Sequence, residues 1–469
     1  MHAPVSNRTN NTNKTNITIM KDQQPIVAAI DIGTTKIVCL VGRKNESGKI
    51  DILALSKAPS TGVKRGVVLN IEETVNAMKK TVEEVKQKSG VIFDEVYVGI
   101  AGQHIRTIQS RGYINRESDD DEITRRDIER LIRDMGQIPV DVGEEIIHVL
   151  PQNFIVDNET GVKNPVGMSG RRLEANFHIV IGKVASAKNI EKCVNRVGLN
   201  VKDLVLEPLA SSTAVLTNDE MEAGVALVDI GGGTTDIAVY YDNVIRHTAV
   251  IPFGGNVVTN DIKEGCSILL KQAELLKTTY GSAMGDMAPG DQVVTIPGIA
   301  GREPKEISFK FLAHIIQARM DEILEEVNYQ IEGSGVAKKL SAGIVLTGGG
   351  ALLKHLPQLV RYRTGYDVRI GLPNQRLGGE LADEINRPMY STAVGLILEG
   401  FKQEKENKKP RTQKVFYEET AGEETDKNGK ELLEEKAGEE DANGSRLINR
   451  MKRVIESLFE EGGAEMDEE

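Results

Sequence analysis

The sequence predicts an α/β fold made of two duplicated halves that face each other across a cleft. Three observations carry this expectation. One phrase occurs twice, as VAAIDIGTTKIVCLVG at residues 27–42 and as VALVDIGGGTTDIAVYY at residues 225–241. From Ile26 to about Gly400, short β-rich runs alternate with stretches of helical periodicity, the texture of layered α/β domains. A third glycine cluster, Gly348-Gly349-Gly350, follows the apolar run AGIVLT and precedes a helical pattern that opens at about Ala351.

Bulk properties narrow the function. A chain of 469 residues can bury more than one sizeable core. Seventy acidic against 58 basic residues give a net charge of −12, which argues against a general nucleic-acid binder. Aromatic residues make up only 4%, with no Trp, so platforms for stacking bases are few. The three cysteines, Cys39, Cys193 and Cys266, form no CxxC pair, and an odd number leaves one over; they read as reduced core thiols, not as a disulfide frame or zinc site. No apolar run approaches the ~20 residues that a membrane-spanning helix needs. The apolar stretch after Ile26 is broken by Asp31 and Lys36 and follows a polar tail, so it does not read as a signal peptide, and a cytoplasmic protein is expected.

Taken in order, residues 1–24 are polar and low in complexity, with too little apolar surface to fold. The segment NIEETVNAMKKTVEEVKQKSG is a helix by pattern: Asn70 can cap it, Ile71, Val75, Met78, Val82 and Val85 form one stripe, and Gly90 can end it. Between 107 and 186 the texture changes to strand, charged helix, strand, strand, which marks an inserted subdomain. A second change follows Asp261. There FKFLAHIIQARMDEILEEVNYQI makes a long amphipathic helix through Leu312, Ile316, Ile323, Val327 and Ile331. Residues 401–444 are charge-dense and poor in branched aliphatics, as expected of a disordered linker.

The repeated phrase carries the chemistry. Each copy is an apolar strand, an Asp, a glycine turn with two threonines, and a returning strand. Glycine lets backbone N–H groups approach a phosphate that a Cβ would hold off, and threonine hydroxyls add donors. Asp31 and Asp229 are placed where a Mg²⁺ with its waters would need a carboxylate. A single copy reads first as a plain hairpin with an Asp-initiated turn; two copies imply one phosphate-gripping hairpin from each half. Gly348, Gly349 and Gly350 would let a ribose or ring lie against bare backbone, or would simply form a helix entry turn. In PFGGNVVTNDI, Gly254, Gly255 and Asn256 form a fourth glycine turn able to face the same cleft.

The DIGTTK, DIGGGTTD and TGGGA loops, in this order, resemble the actin and heat-shock-chaperone ATPase superfamily. The phrases IPFGGNVVTNDI, NPVGMSG, IVLTGGGALL and PMYSTAVGLI are similar to those of its bacterial cell-division branch, and the resemblance covers roughly residues 26–400. It implies an actin-like ATPase fold. Residues 25–106 with 187–222 would form subdomain 1A, and 107–186 an SHS2-like subdomain 1C. Residues 223–261 with 341–400 would form subdomain 2A, and 262–340 subdomain 2B. ATP and Mg²⁺ would lie between the halves. Asp31, Gly33, Thr34, Thr35 and Lys36 would grip phosphates from one side; Asp229, Gly231, Gly232, Gly233, Thr234 and Thr235 from the other.

The resemblance also places Gly348–Gly350 along the adenosine and makes Glu274 and Lys277 the pair that contacts base and ribose. By spacing alone these two are equally an i,i+3 ion pair on a helix surface. Glu207 resembles the residue that positions the attacking water in filament-forming relatives; before Pro208 it is also a favourable acid at a helix N-terminus. Since the branch does not uniformly keep an acid there, and no separate base with a partner stands out, slow ATP turnover at most is expected. The implied partners are the tubulin-like division protein FtsZ, a second copy of the chain in a filament through subdomain 107–186, and other division proteins. Arg302, Lys305 and Arg319 are the basic candidates for the FtsZ tail peptide, each of them also explicable as solvated surface charge.

The last element is SRLINRMKRVIESLF, inside an expected helix 445–460. Leu447, Ile448, Met451, Val454, Ile455, Leu458 and Phe459 share one face, flanked by Arg446, Arg450, Lys452 and Arg453. The bases crowd its N-terminal end, against the helix dipole, so about four turns should be marginal in water. An anionic bilayer would order it, each base contributing up to ~1 kcal/mol. The expectation is a peripheral membrane protein on the cytoplasmic face of the inner membrane at the division site. Two other classes share the loops: a pilus-assembly platform protein, and a small-molecule kinase. No acceptor-binding motif supports the kinase, and neither it nor the platform protein accounts for the tethered basic helix. A chaperone would need a substrate-binding β-domain that nothing after Gly400 resembles.

Overall fold

The computed structural model describes residues 25–116, 122–298 and 303–407. The expected tail 1–24, the candidate Arg302, the chain from 408 onward and helix 445–460 lie outside the described residues.

The duplicated phrase becomes two sheets of the same topology. In the first, Ile50–Pro59, Lys36–Lys44 and Ile26–Ile32 form an antiparallel meander, and Glu95–Ile100 and then Asn200–Leu206 continue it in parallel. In the second, Val244–Ile251, Thr235–Tyr241 and Val225–Ile230 form the meander, and Ile344–Thr347 and then Val368–Ile370 are the parallel pair. The first sheet gains a sixth, short strand, Leu377–Gly378, beside Ile50–Asp51. Strands Ile26–Ile32 and Val225–Ile230 are almost wholly buried, which is why both read as continuous apolar runs and not as alternating ones.

Helices fall where the local signals put them. Asn70 accepts hydrogen bonds from the backbone N–H groups of Glu72 and Glu73, and Gly90 closes helix Ile71–Ser89 in the left-handed conformation (φ 66°). Helix Phe309–Gly333 is capped by Ser308 and buries Leu312, Ile316, Ile323, Val327 and Ile331 in the core of the second half. Two features differ from expectation. Where a helix was expected from Ala351, Gly349–Leu352 is a 3₁₀ turn, and the α-helix starts at Leu356 after His355 takes a left-handed conformation. Pro357, pre-set for the first turn, fixes that later start. Helix Ser391–Asn407 also runs past Gly400, where the change in composition suggested a linker, because Phe401 and Gln403 are still buried in the first half.

Between the strands of the first half lies the insert: strands Arg106–Asn115, Glu144–Val156, Glu159–Val162 and Arg172–Lys183 in one sheet, with helix Arg125–Met135 on its face and a core of its own. Among the described residues of the insert, the hairpin strand Glu159–Val162 is the element the sequence pattern did not show. The insert reaches the outer edge of the second sheet. Gln152 donates to the carbonyls of Ile245 and Arg246, each at 3.2 Å, His178 Nε2 lies 2.8 Å from Thr248 Oγ1, and Lys163 pairs with Asp242 at 2.6 Å.

Helix Ser391–Asn407 packs against strand Ile26–Ile32 and, most closely, against helix Glu207–Val215. Gly395 lies on the Ala210 carbonyl with no room for a Cβ. Near its other end, Gln403 accepts from the Tyr97 hydroxyl at 2.7 Å and donates to Asp203 at 2.9 Å, a fully buried polar lock. Among the described residues no helix is long and apolar enough to cross a membrane.

Candidate functional site

The two hairpin turns meet across the cleft between the halves. Asp31 and Ile32 pair with Val38 and Ile37, and Asp229 and Ile230 pair with Asp236 and Thr235, so each turn projects from the end of a rigid antiparallel pair. Gly231 N–H closes the second turn on the Thr234 carbonyl at 2.9 Å. Thr35 lies against Gly232 and Thr34 against Gly233, closer than any Cβ on those glycines would allow. Thr34 Oγ1 accepts from Gly66 N–H at 3.1 Å, which brings a further loop to the rim.

The cleft is lined by Asp31, Gly33, Thr34, Thr35, Lys36, Glu207, Asp229, Gly231, Gly232, Gly233, Thr234, Gly348 and Gly349, all of them singled out by the sequence. It also contains residues the sequence reading missed: Gly66, Asp236, Pro388, Met389 and Thr392. Asp236 had a visible signal, since it is the last letter of DIGGGTTD. Thr392 had none, because only the fold brings helix Ser391–Asn407 to the cleft floor.

Four carboxyl groups converge here without enough cationic partners. Burial pushes Asp31 up to about 6, Lys36 pulling it down and Asp229 pushing it up. Asp229 is also raised by burial, though its bonds from Ser211 and Thr392 and the charge of Lys36 oppose this. Glu207 is raised well above the usual carboxylate range by burial and then by Asp31, Asp236 and Asp229. Asp236 is raised likewise by burial and Asp229; its Oδ2 accepts from Thr234 Oγ1 at 3.4 Å, while its buried Oδ1 has no partner.

An orphaned carboxylate oxygen and mutually repelling acids fit a Mg²⁺ held through water and phosphate, which is how that ion is usually bound. Among the described residues no three His, Cys, Asp or Glu side chains stand close enough to enclose an ion by themselves.

Other expected residues take different places. Gly348 has φ +82° and a Cβ there would collide with Asp229 Oδ1, so only glycine fits between the TGGGA turn and the carboxylate. Gly349 is open to the cleft, whereas Gly350 packs on Ile230. Gly254, Gly255 and Asn256 sit behind the second hairpin turn instead of facing the cleft. Gly255 and Asn256 N–H donate to the carbonyls of Gly231 and Gly232 at 2.9 and 2.8 Å, so these amides orient the turn and are not free for a ligand. Thr235 likewise is fully buried and donates to the Phe253 carbonyl at 2.9 Å.

Glu274 and Lys277 form the i,i+3 ion pair at 2.8 Å, and Lys277 reaches back to the Gly255 carbonyl at 2.9 Å and to Thr259 Oγ1 at 2.7 Å. The pair therefore stands just behind the Gly254–Gly255 turn. Glu207 opens helix Glu207–Val215 with Pro208 after it, and Gly99 provides the space its side chain occupies. It is thus both a helix N-terminal acid and a cleft residue. Of the basic candidates further away, Lys305 donates to the Ser267 and Cys266 carbonyls at 3.0 and 3.3 Å, at the end of helix Gly255–Cys266. Arg319 is engaged by Asp261 at 2.5 Å and by Glu322.

The chain is similar to known proteins. The family model "Cell division protein FtsA" matches residues 226–395, and "SHS2 domain inserted in FTSA" matches residues 102–181. The chain is 40% identical over 379 residues to the cell division protein FtsA of Pseudomonas aeruginosa, covering 81% of this chain and 90% of that protein. It is 38% identical over 441 residues to the FtsA of Neisseria meningitidis serogroup B, covering 94% of this chain and all (100%) of that one. Among solved structures, the PilM–PilN type IV pilus biogenesis complex superposes with a TM-score of 0.58 at 16% identity, over 80% of this chain and 98% of that chain. MreB5 of Spiroplasma citri bound to ADP does so with a TM-score of 0.50 at 15% identity, over 81% and 98%.

The fold is that of the actin-like ATPases, with an SHS2 insertion in the first half. The chain belongs to the FtsA family of cell-division proteins.

Proposed function

We propose that this cell-division protein binds Mg·ATP in the cleft and uses it to order a membrane-bound scaffold that tethers FtsZ. The observation that carries the nucleotide reading is the pair of glycine–threonine turns meeting over a cluster of under-compensated carboxylates. When bound, Mg²⁺ would neutralise phosphate charge and shift the balance among these acids. Asp31, Asp229 and Asp236 would hold it through water, Lys36 would face the phosphates, and the amides of Gly33, Gly232 and Gly233 would line them, the Gly231 amide being used to close the turn. Glu207, held well above the usual carboxylate range by burial and by the neighbouring acids, would be a poorly available base in the absence of a cation, which supports slow turnover at most. The superposition on a nucleotide-bound MreB supports the same reading.

Cation binding has a proton signature. Because Asp31 is raised, it keeps a proton between pH ~4 and ~6 that an ordinary Asp would have lost. A cation lowers that pKa. Mg·ATP binding is therefore expected to release protons near pH 6, and affinity to weaken as pH falls below 6. Calorimetry in two buffers of different ionisation enthalpy checks this; an equal apparent enthalpy in both would contradict it.

The membrane and FtsZ parts rest on the sequence of 445–460 and on family membership. One such helix should bind reversibly, and a polymer carrying many should bind avidly. The test is pelleting with anionic vesicles, with and without ATP and FtsZ. Wild type should carry FtsZ into the pellet, whereas Leu458→Glu or Phe459→Glu should stay soluble. Wild-type pelleting by either variant would remove residues 445–459 as the anchor.

A further inference from the structure

We infer that Ser211 and Thr392 are positioning residues that hold the Asp229 carboxylate in register for the cation, and that they do so from the opposite half of the molecule. The inference rests on the reading of the cleft as a Mg·ATP site. Ser211 Oγ donates to Asp229 Oδ2 at 2.7 Å, Thr392 Oγ1 donates to the same oxygen at 3.3 Å, and the two hydroxyls lie 3.0 Å apart. Both therefore act on one oxygen of Asp229. The other, Oδ1, lies against the Gly348 turn at the cleft, where even a Cβ would not fit. A carboxylate with one oxygen doubly engaged and the other confined has a single orientation, and only Oδ1 is left to face an incoming ion or its water.

The origin of the three side chains gives the clamp a second property. Asp229 belongs to strand Val225–Ile230 of the second half. Ser211 comes from helix Glu207–Val215 and Thr392 from helix Ser391–Asn407, which pack on each other, the latter also on the strands of the first sheet, so Thr392 stands with the first half although the expected bounds put 341–400 in the second. Ser211 is fully buried and Asp229 is 7% exposed, so water does not replace these bonds when they are lost. The metal-facing carboxylate of one half is thus oriented by hydroxyls of the other, and its geometry is correct only when the halves are closed on each other.

The test separates positioning from packing. Nucleotide affinity is measured by calorimetry on the full chain, with Mg²⁺ and with EDTA, for wild type, Ser211→Ala, Thr392→Val, Thr392→Ser and Asp229→Ala. A lost bond to a charged group corresponds to about a tenfold effect or more. Ser211→Ala is expected to weaken Mg·ATP binding about tenfold while leaving metal-free ATP binding within about twofold. Thr392→Val should do the same more mildly, and Thr392→Ser should restore it. In the Asp229→Ala background, Ser211→Ala should cost nothing further. Equal losses with and without Mg²⁺, or full additivity with Asp229→Ala, would overturn the positioning role while leaving the nucleotide site intact. Failure of the wild-type chain to bind Mg·ATP would overturn the site itself and the inference with it. Nucleotide-free Ser211→Ala and Thr392→Val should melt a little below wild type, because a buried acceptor loses a donor, yet remain folded at the calorimetric temperature; partial unfolding at that temperature that accounts for the affinity loss counts against the inference.

Discussion

Replacing Asp229 by alanine is expected to reduce Mg·ATP affinity at least a hundredfold while the nucleotide-free protein melts no earlier than wild type. The two halves of this expectation have one cause. Asp229 is buried beside Asp31, Asp236 and Glu207, and burial raises its pKa, so in the absence of a cation its charge costs stability. Removing it relieves Asp31, Asp236 and Glu207, all of which it pushes upward. With Mg·ATP present the same charge becomes the main attraction for the metal. The paired measurement is calorimetry with Mg·ATP and a thermal melt of the free protein. Unchanged affinity would show that the metal is held elsewhere; a sharply lower melting temperature would show that Asp229 is chiefly structural.

The largest expected effect on folding comes from a single added methyl group. Gly395→Ala places a Cβ on the Ala210 carbonyl oxygen, well inside contact distance, and both partners are helix backbone that cannot rotate away. Alanine is favoured over glycine in a helix by about 1 kcal/mol, so a change with no clash would stabilise the protein. We expect instead a net loss of about 2 kcal/mol, because helix Ser391–Asn407 must move off helix Glu207–Val215. The denaturant midpoint should fall with little change in slope. Mg·ATP affinity should fall as well, since these two helices carry Thr392 and Ser211. A midpoint equal to or above that of wild type would refute the close helix contact.

Much of the site was legible because the chemistry is local. A phosphate-gripping turn needs Asp, Gly and Thr within a few consecutive residues, and DIGTTK and DIGGGTTD display that need openly. The duplication was legible for the same reason, and the sheets repeat their order as the phrases repeat their letters. What was hidden depends on distant segments meeting. Nothing in PMYSTAVG or EPLASSTAV shows that Thr392 and Ser211 will share one oxygen of Asp229. At the Gly254–Asn256 turn the composition suits a ligand, and only the fold shows that the Gly255 and Asn256 amides bond to the neighbouring turn. The end of the last helix was missed because a charge-rich composition outweighed Phe401 and Gln403, whose burial only the tertiary structure reveals.

The first half is closed by both ends of the described chain, and this sets an order of assembly. Its sheet opens with Ile26–Ile32, yet it is completed only by Leu377–Gly378 and by helix Ser391–Asn407 lying on that same opening strand. The second half is contiguous in its strands, which fall between Val225 and Ile370, and the core on one face of its sheet is built from residues 226–370, while the other face packs on helix Glu207–Val215. On the ribosome, where chains emerge from the N-terminus and domains fold as units, strand Ile26–Ile32 therefore waits for residues 377–407, which emerge about 350 residues later. The insert and the second half can each close while the opening hairpin still has one bare flank. A nascent chain of this design is most vulnerable to chaperones and proteases at its beginning, and it stays so until the residues beyond 391 arrive.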